Sequence, residues 1–301
     1  MSTVIMIKTW ISAFRLRTLF LSLACIMMGY FLASANGYKN SIIFSFCLLT
    51  ALFLQILSNL ANDYGDSVHG ADHDGRKGPK RAVQSGKITK EQMKIAIGIF
   101  VGLSLLSGIS LLYFSYEVIG FYGVVALFTL GIASIIAAIT YTNGKKPYGY
   151  AGLGDISVFI FFGLVAVCGT YYLQAGLLDL DVILPSISCG LFSVAVLNLN
   201  NMRDIDSDMV AGKKSIPARI GFQNAKFYHL SIILSAFICL ISYSYMHNAA
   251  ISNYIYLITM LPFILSLVKI FKTDDKQSLD PLLKVTSLST FVLVILFGLF
   301  L

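Results

Sequence analysis

The stretch that decides the fold runs from residue 95 to residue 140 and reads IAIGIFVGLSLLSGISLLYFSYEVIGFYGVVALFTLGIASIIAAIT. Its only charged residue is Glu117. A helix needs about 20 mostly apolar residues to cross the hydrocarbon core of a bilayer, so this stretch is long enough for two crossings that meet near Glu117. The sequence therefore predicts a chain that spans a membrane more than once.

The composition of the whole chain agrees with this prediction. Of 301 residues, 57% are hydrophobic and only 12% are charged, whereas a soluble domain has about 25% charged residues. The five cysteines lie in apolar runs without a C-x-x-C pair, which indicates packing rather than a metal or redox role. The composition excludes an ordinary soluble domain.

Apolar runs continue along the whole sequence and predict one all-α membrane domain over residues 1–301, a bundle of nine transmembrane helices. The predicted spans are 18–36, 41–62, 93–115, 118–141, 152–174, 182–202, 226–246, 250–271 and 282–301. The first run has the basic start and the Ala33-Ser34-Ala35 end of a signal peptide, so its cleavage is the alternative to a retained first helix.

The basic residues separate onto one side of the membrane when nine spans are counted. Lys39 is the single exception, in the loop between the first two spans. Because Lys and Arg in short loops are retained in the cytoplasm, we expect a cytoplasmic N-terminus and an external C-terminus in a bacterial cytoplasmic (inner) membrane. This placement accounts for the net charge of +7 without a nucleic-acid partner.

Two predicted cytoplasmic loops share an unusual acidic pattern. The first reads NLANDYGDSVHGADHDGRKGPKR over residues 59–81, and the second reads NLNNMRDIDSDMVAGKKSIP over residues 198–217. Asn62 and Asp66 stand four residues apart, as do Asn200, Asp204 and Asp208. Residues four apart share a helix face, and four spans separate the loops, so we predict two parallel pseudo-repeats that face each other across a central cavity.

The residue types in these loops indicate a site for a metal ion and a phosphate group. Carboxylates gathered on one face repel one another unless a cation lies between them, and Mg²⁺ prefers carboxylates together with phosphate oxygens. Each loop also carries Lys and Arg, which complement a phosphate group. The alternative is a pair of solvated interfacial loops, but polar groups that continue apolar helices are typical of functional sites.

At these loops the chain resembles the UbiA superfamily of intramembrane aromatic prenyltransferases, in particular its 1,4-dihydroxy-2-naphthoate branch. The stretch NNMRDIDSDMVAGK is the most specific element, and Asn62, Asp63 and Asp66 fit the first family motif, N-D-x-x-D-x-x-x-D. Gly70 stands where that motif has its last acid, with Asp72 two residues on. The resemblance covers almost the whole chain.

The resemblance implies a Mg²⁺-dependent enzyme of menaquinone biosynthesis. It would transfer a polyprenyl group from an allylic diphosphate to the naphthoate, with loss of CO₂ and diphosphate, and give demethylmenaquinone. The implied metal ligands are Asn62, Asp66, Asp72, Asp204 and Asp208. The implied diphosphate-binding residues are Asn62, Arg81, Asn200, Arg203, Lys213 and Lys214. The implied catalytic residues are Asp66, Asp204, Asp208, Lys145 and Tyr141.

Three other functions remain open at the level of sequence. Another aromatic acceptor, such as 4-hydroxybenzoate, would need the same acidic loops. A small-molecule transporter would suit a repeated helical bundle, but its ionisable residues are expected near the middle of the membrane rather than at one face. A purely structural membrane protein would not need the duplicated acidic pattern. The expected partners are polyprenyl diphosphate, an aromatic acid and membrane lipid, with no nucleic acid.

Overall fold

The computed structural model of the chain describes residues 3–70 and 81–301, and within these ranges all regular structure is helical. The first part contains α1 (Thr3–Ala13), α2 (Leu16–Ala35), α3 (Ser41–Val68), α4 (Lys90–Thr140), α5 (Gly154–Val158) and α6 (Gly169–Ala175), with a π-helical segment, Phe159–Cys168, between the last two. The second part contains α7 (Ile183–Arg203), α8 (Ile205–Val210), α9 (Ile216–Ile220), α10 (Phe222–Met246), α11 (Met260–Lys272) and α12 (Asp280–Leu299). Short 3₁₀ segments, Leu180–Val182, Ile251–Thr259 and Lys276–Leu279, lead into α7, α11 and α12.

The predicted all-α membrane bundle is confirmed. Within the described residues, eight helical segments are long and apolar enough to cross a membrane: Leu16–Ala35, Ser41–Val68, Lys90–Thr140, Gly154–Ala175, Leu180–Arg203, Phe222–Met246, Ile251–Lys272 and Lys276–Leu299. Each overlaps one or two of the predicted runs. The segment that ends at Arg203 is the most buried of the eight, which places α7 at the centre of the bundle.

The predicted spans 93–115 and 118–141 both fall within α4. Both ends of α4 lie beside the C-terminal end of α3: the Lys94 ammonium is 5.6 Å from the centre of the Tyr64 ring, and the Thr142 hydroxyl, just beyond α4, donates to the Ala61 carbonyl oxygen at 3.1 Å. The two halves of α4 are therefore two helices that fold back on each other. The α4 backbone breaks at Gly120, where φ is 63° and ψ is −178°, a conformation that glycine adopts without steric cost. The break lies three residues beyond Glu117. The count of nine spans and the pseudo-repeat stay predictions.

Local sequence explains where several of these helices begin. The Asn40 side chain accepts hydrogen bonds from the backbone N–H groups of Ile42 and Ile43, which caps α3. Thr89 and Gln92 form a reciprocal capping box at the start of α4. Arg15 adopts a left-handed conformation, with φ at 51°, and separates α1 from α2. This break turns the chain from the short α1 into the first long apolar helix.

The largest apolar core joins α2, α7, α10 and α12. The ring centroids of Phe192 and Phe237 lie 5.3 Å apart at a steep angle, a favourable edge-to-face contact between α7 and α10. The π-helical segment approaches α7 closely because glycines face each other: a Cβ at Gly163 would lie 2.9 Å from the Cα of Gly190. This packing fixes α7, and with it the second acidic motif, against the rest of the bundle.

Candidate active site

A cavity of about 390 Å³ lies inside the bundle, and its lining has two kinds of residue. The polar lining residues include Arg15 and Arg17 near the start of α2 and, from both acidic motifs and their neighbours, Asn59, Asn62, Asp66, Arg81, Asn200, Asn201 and Lys213. The apolar lining residues come from inner parts of α2, α3, α4 and the π-helical segment, and include Ile26, Leu112, Leu127, Phe128, Phe161 and Phe162. Such a lining suits a ligand with a charged head and an apolar body.

The first acidic motif reaches the cavity because α3 continues past the apolar run to Val68. Asp66 is 3% exposed and accepts hydrogen bonds from the Arg81 guanidinium and, at 2.8 Å, from the Tyr150 hydroxyl. Gly65 permits a close approach of the next loop, since a Cβ there would lie 2.5 Å from the Thr142 hydroxyl oxygen. The motif helix and the loop over residues 141–153 are therefore packed directly together.

Asn62 and Asp63, which belong to the same motif as Asp66, have different surroundings. The Asn62 carbonyl oxygen Oδ1 accepts a hydrogen bond from Thr142 at 3.2 Å. One oxygen of Asp63 accepts from the backbone of Ala82 at 3.2 Å, while its buried Oδ1 has no hydrogen-bond partner among the described residues. A buried carboxylate oxygen without a partner is costly, so it is a candidate for an additional ligand.

The second acidic motif is not one continuous helix. α7 ends at Arg203 and α8 begins at Ile205, with Asp204 between them at φ −95° and ψ 10°. The backbone N–H groups of Asp204 and Asp208 still donate to the carbonyl oxygens of Asn200 and Asp204, at 3.1 Å and 2.8 Å, so the four-residue spacing keeps its helical hydrogen bonds. Both Asp204 oxygens accept from Arg203, at 2.9 Å from Nε and 2.7 Å from Nη2. Arg203 is 1% exposed and also donates to the Asn200 oxygen at 2.9 Å. Arg203 thus orients Asn200, which lines the cavity.

Lys213 connects the two motifs. Its ammonium lies 3.4 Å from Asp208 Oδ1, and the Ser215 hydroxyl donates to the other Asp208 oxygen at 3.3 Å. Burial disfavours the charged ammonium, yet the carboxylates of Asp208 and Asp66 raise the pKa of Lys213 above its usual range. Lys213 therefore stays charged, with carboxylates of both motifs close enough to act on it.

Asp208 also lies close to charged groups of both motifs. Burial raises the pKa of its carboxyl group, Lys213 opposes this increase, and the negative charges of Asp204 and Asp66 add to it. Since Asp66 belongs to the first motif and Asp208 to the second, the structure brings the two motifs together at the polar part of the cavity. An added cation would relieve the repulsion between these acids.

Three tyrosines of the loop over residues 141–153 complete the site. The rings of Tyr141 and Tyr148 lie 5.3 Å apart edge to face, and both line the cavity. Burial raises the pKa of Tyr141 to about 12, so its hydroxyl keeps its proton. Burial and the nearby Asp66 also raise the pKa of Tyr150, the hydroxyl donor to Asp66. Sequence reasoning missed Tyr150, because its contact with Asp66 joins residues 84 positions apart in the chain.

The structure divides the predicted site residues into three groups. Asn62, Asp66, Arg81, Tyr141, Asn200 and Lys213 line the cavity. Arg203, Asp204 and Asp208 are buried beside it and hold other side chains. Lys145 and Lys214 are exposed outside the lining. Asp72, the predicted fifth metal ligand, lies outside the described residues. Asp155 accepts a hydrogen bond from Tyr228 at 2.9 Å.

The fit of this site to a divalent cation follows from its donor atoms. In residues 3–70 and 81–301, no three His, Cys, Asp or Glu residues gather as a ready metal cluster. The available donors are oxygens: the carboxylate of Asp66 and the carbonyl oxygens of Asn62 and Asn201, of which Asn201 Oδ1 is buried without a hydrogen-bond partner in these ranges. Few carboxylates plus amide oxygens fit Mg²⁺ that also binds substrate phosphate.

Fold and site together define an integral membrane protein with an internal cavity that combines charged and apolar lining residues. A sequence model of the UbiA prenyltransferase family matches residues 22–299, and the chain belongs to this family.

Two relatives are both named 1,4-dihydroxy-2-naphthoate octaprenyltransferase. The protein from Haemophilus influenzae is 40% identical over 97% of this chain and 95% of its own length. The protein from Escherichia coli K12 is 41% identical over 93% of this chain and 90% of its own length. A solved UbiA homologue from Archaeoglobus fulgidus, described as bound to GPP and Mg²⁺, has the same fold, with a TM-score of 0.59, 15% identity and coverage of 94% of this chain and 98% of its own.

Proposed function

We propose that this chain transfers a polyprenyl group from an allylic prenyl diphosphate to 1,4-dihydroxy-2-naphthoate, with release of diphosphate and CO₂. The observation that carries the proposal is the cavity, in which the charged groups of two acidic motifs adjoin a long apolar lining. The activity named for the relatives at 40% and 41% identity supports the choice of the naphthoate as acceptor. The direct product would be a demethylmenaquinol, the reduced form of a demethylmenaquinone.

In this proposal the cations in the cavity lining receive the diphosphate. Arg81 and Lys213 both line the cavity, and Lys213 keeps its charge because of the nearby carboxylates. Fixed cations at the position where negative charge develops stabilise the departing group. Asn62, Asp66 and Asn201 would hold Mg²⁺, with Asp208 close by. Bound Mg²⁺ supplies a Lewis acid that neutralises diphosphate oxygens.

The remaining lining would protect the reacting carbon. The faces of Tyr141 and Tyr148 offer negative quadrupole potential to an allylic cation. The apolar lining excludes water, which would otherwise capture that cation, and provides space for the prenyl chain. The acceptor ring then attacks the allylic carbon as the bond from carbon to the diphosphate oxygen breaks.

We also propose the placement of this chain in a bacterial inner membrane. The separation of Lys and Arg onto one side supports a cytoplasmic N-terminus, a cytoplasmic opening of the polar site and an external C-terminus. Soluble substrates such as the aromatic acid would then reach the charged groups from the cytoplasm, while the prenyl diphosphate enters with its tail in the bilayer.

The direct test is an assay of purified protein with the naphthoate, a series of prenyl diphosphates and Mg²⁺, with product masses measured. We expect the mass of a demethylmenaquinol, or of the demethylmenaquinone that forms from it on exposure to air, and the loss of this product when the metal is chelated. Asp66→Asn should lower the rate at least ~10²-fold, a typical cost of removing one catalytic electrostatic group. Asp274→Asn is the matched control, because Asp274 is 85% exposed and does not line the cavity.

Two results would contradict the proposal. A product that retains the carboxyl group, or activity with 4-hydroxybenzoate alone, would reject the naphthoate as the acceptor. Full activity of Asp66→Asn would reject the assignment of the polar cavity as the reacting site.

A further inference from the structure

A partly buried chain of charged groups joins three helices beside the cavity. Arg17 at the start of α2 donates to Asp280 Oδ1 at 3.0 Å, and Arg203 at the end of α7 donates to the same oxygen. Arg203 in turn pairs with Asp204 through two hydrogen bonds. Two guanidinium groups thus alternate with two carboxylates. Asp280 joins α12 to α2 through Arg17, which is 263 positions away in the sequence, and to α7 through Arg203.

The burial of Arg203 gives Asp280 its importance. Arg203 is the largest side chain with almost no exposed surface in the described part of the chain, and a buried charge is tolerated only when it is paired. Asp204 accepts from Nε and Nη2 of Arg203, Asn200 accepts from Nη2, and Asp280 accepts from Nη1. Asp280 therefore holds the side of the guanidinium that Asp204 does not reach.

The two groups that depend on Asp280 both face the cavity. Arg17 lines it directly, and Asn200 lines it while its oxygen is held by Arg203. Asp280 itself does not belong to the lining and lies at the first residue of α12. Its carboxylate can therefore affect the site only through the positions of Arg17 and Arg203.

We propose that Asp280 is a positioning residue for the prenyl transfer, which fixes Arg17 and, through Arg203, Asn200 at the cavity wall. In this assignment Arg203 orients the second acidic motif from behind rather than binding the diphosphate. The inference rests on the proposed function, since its assay is the same prenyl transfer, but it concerns a residue that neither acidic motif contains.

The experiment compares Asp280→Asn, Asp280→Glu and the control Asp274→Asn in purified protein, with kcat and KM measured for both substrates. Asp274 is a suitable match because it also pairs with a buried base, Lys226, and lies in the segment that precedes α12. We expect Asp280→Asn to lower kcat about 10-fold or more at a melting temperature close to that of the control, since small displacements of positioned groups carry large rate costs. Asp280→Glu, which restores the charge, should recover at least half of the lost kcat.

A double variant tests the route through Arg17. If Asp280 acts by fixing Arg17, then Arg17→Gln should cost less in the Asp280→Asn background than in the wild-type protein, so that the two losses do not multiply. Fully multiplicative losses would overturn the inference, as would a kcat of Asp280→Asn equal to that of Asp274→Asn. Should Asp280→Asn fail to fold, wild-type kcat in both Arg17→Gln and Asn200→Ala would also overturn it, because these are the two cavity-lining groups that Asp280 is proposed to fix. Failure of the proposed function would instead show as an inactive wild-type protein.

Discussion

Replacement of Lys213 by methionine tests how much the ammonium group of Lys213 contributes to catalysis. The substitution Lys213→Met would keep most of the side-chain length and remove the ammonium that lies 3.4 Å from Asp208. At that distance, and with an effective dielectric constant of about 20, two unit charges attract by about 5 kcal/mol. A diphosphate oxygen at a similar distance would gain a comparable attraction before the cost of desolvation.

We therefore expect kcat/KM of Lys213→Met to fall about 10²- to 10³-fold, the usual cost of removing one fixed electrostatic group. Lys214→Met is the matched control: it removes the adjacent lysine, which is exposed and outside the cavity lining, and should stay within about threefold of the wild type. The assay is diphosphate release with saturating Mg²⁺ and both substrates, confirmed by product mass.

Stability must be measured in parallel, because the same substitution leaves Asp208 buried and unpaired. Breaking a buried ion pair from one side costs about 3–5 kcal/mol. Burial already raises the pKa of Asp208 and Lys213 opposes this, so the variant should be most stable below the ordinary carboxyl range and lose stability as the pH rises through the raised pKa. Lys213→Arg keeps the charge and should retain the fold. Wild-type kcat/KM in folded Lys213→Met would refute the assigned role of the ammonium.

Two further predictions concern packing and pH. Gly65→Ala should destabilise the protein by about 1–3 kcal/mol and reduce activity, because its Cβ would lie 2.5 Å from the Thr142 hydroxyl and 2.6 Å from the Thr142 carbonyl oxygen. Gly98→Ala, with no neighbour within 4 Å in α4, should stabilise by about 0.5–1 kcal/mol in the same thermal unfolding measurement, and equal effects of the two would contradict the packing argument. Burial opposes the charge of His247, but the Tyr243 carbonyl and the Asp181 carboxylate raise its pKa above 6.5. The His247–Asp181 pair should therefore stabilise the protein most below about pH 6.5 and lose this contribution as the pH rises through the pKa of folded His247. The contribution should be under about 1 kcal/mol because the pair is exposed. His247→Gln should remove the resulting difference in melting temperature between low and high pH, and an unchanged difference would refute the role of the pair.

The sequence by itself determined the class of fold and the place of the site. Long apolar runs favour membrane helices, and their ends were predicted to within two residues for the spans Gly154–Ala175 and Ile251–Lys272. The acidic motifs identified the family because the spacing of Asn62, Asp66, Asp204 and Asp208 is written in the chain. Spacing of this kind is local, so no knowledge of packing was needed.

Only the tertiary structure decided which charged side chains are buried and which groups they pair with. Lys213 and Lys214 are adjacent and chemically identical, yet one is buried between two carboxylates and the other is exposed. The sequence predicts Arg203 as a diphosphate-binding residue, and only the structure reveals that its side chain pairs with Asp204 and Asp280. The physical reason is that the direction of a side chain and its charged partners depend on contacts between distant helices, and a partner such as Asp280 carries no mark in its own local sequence.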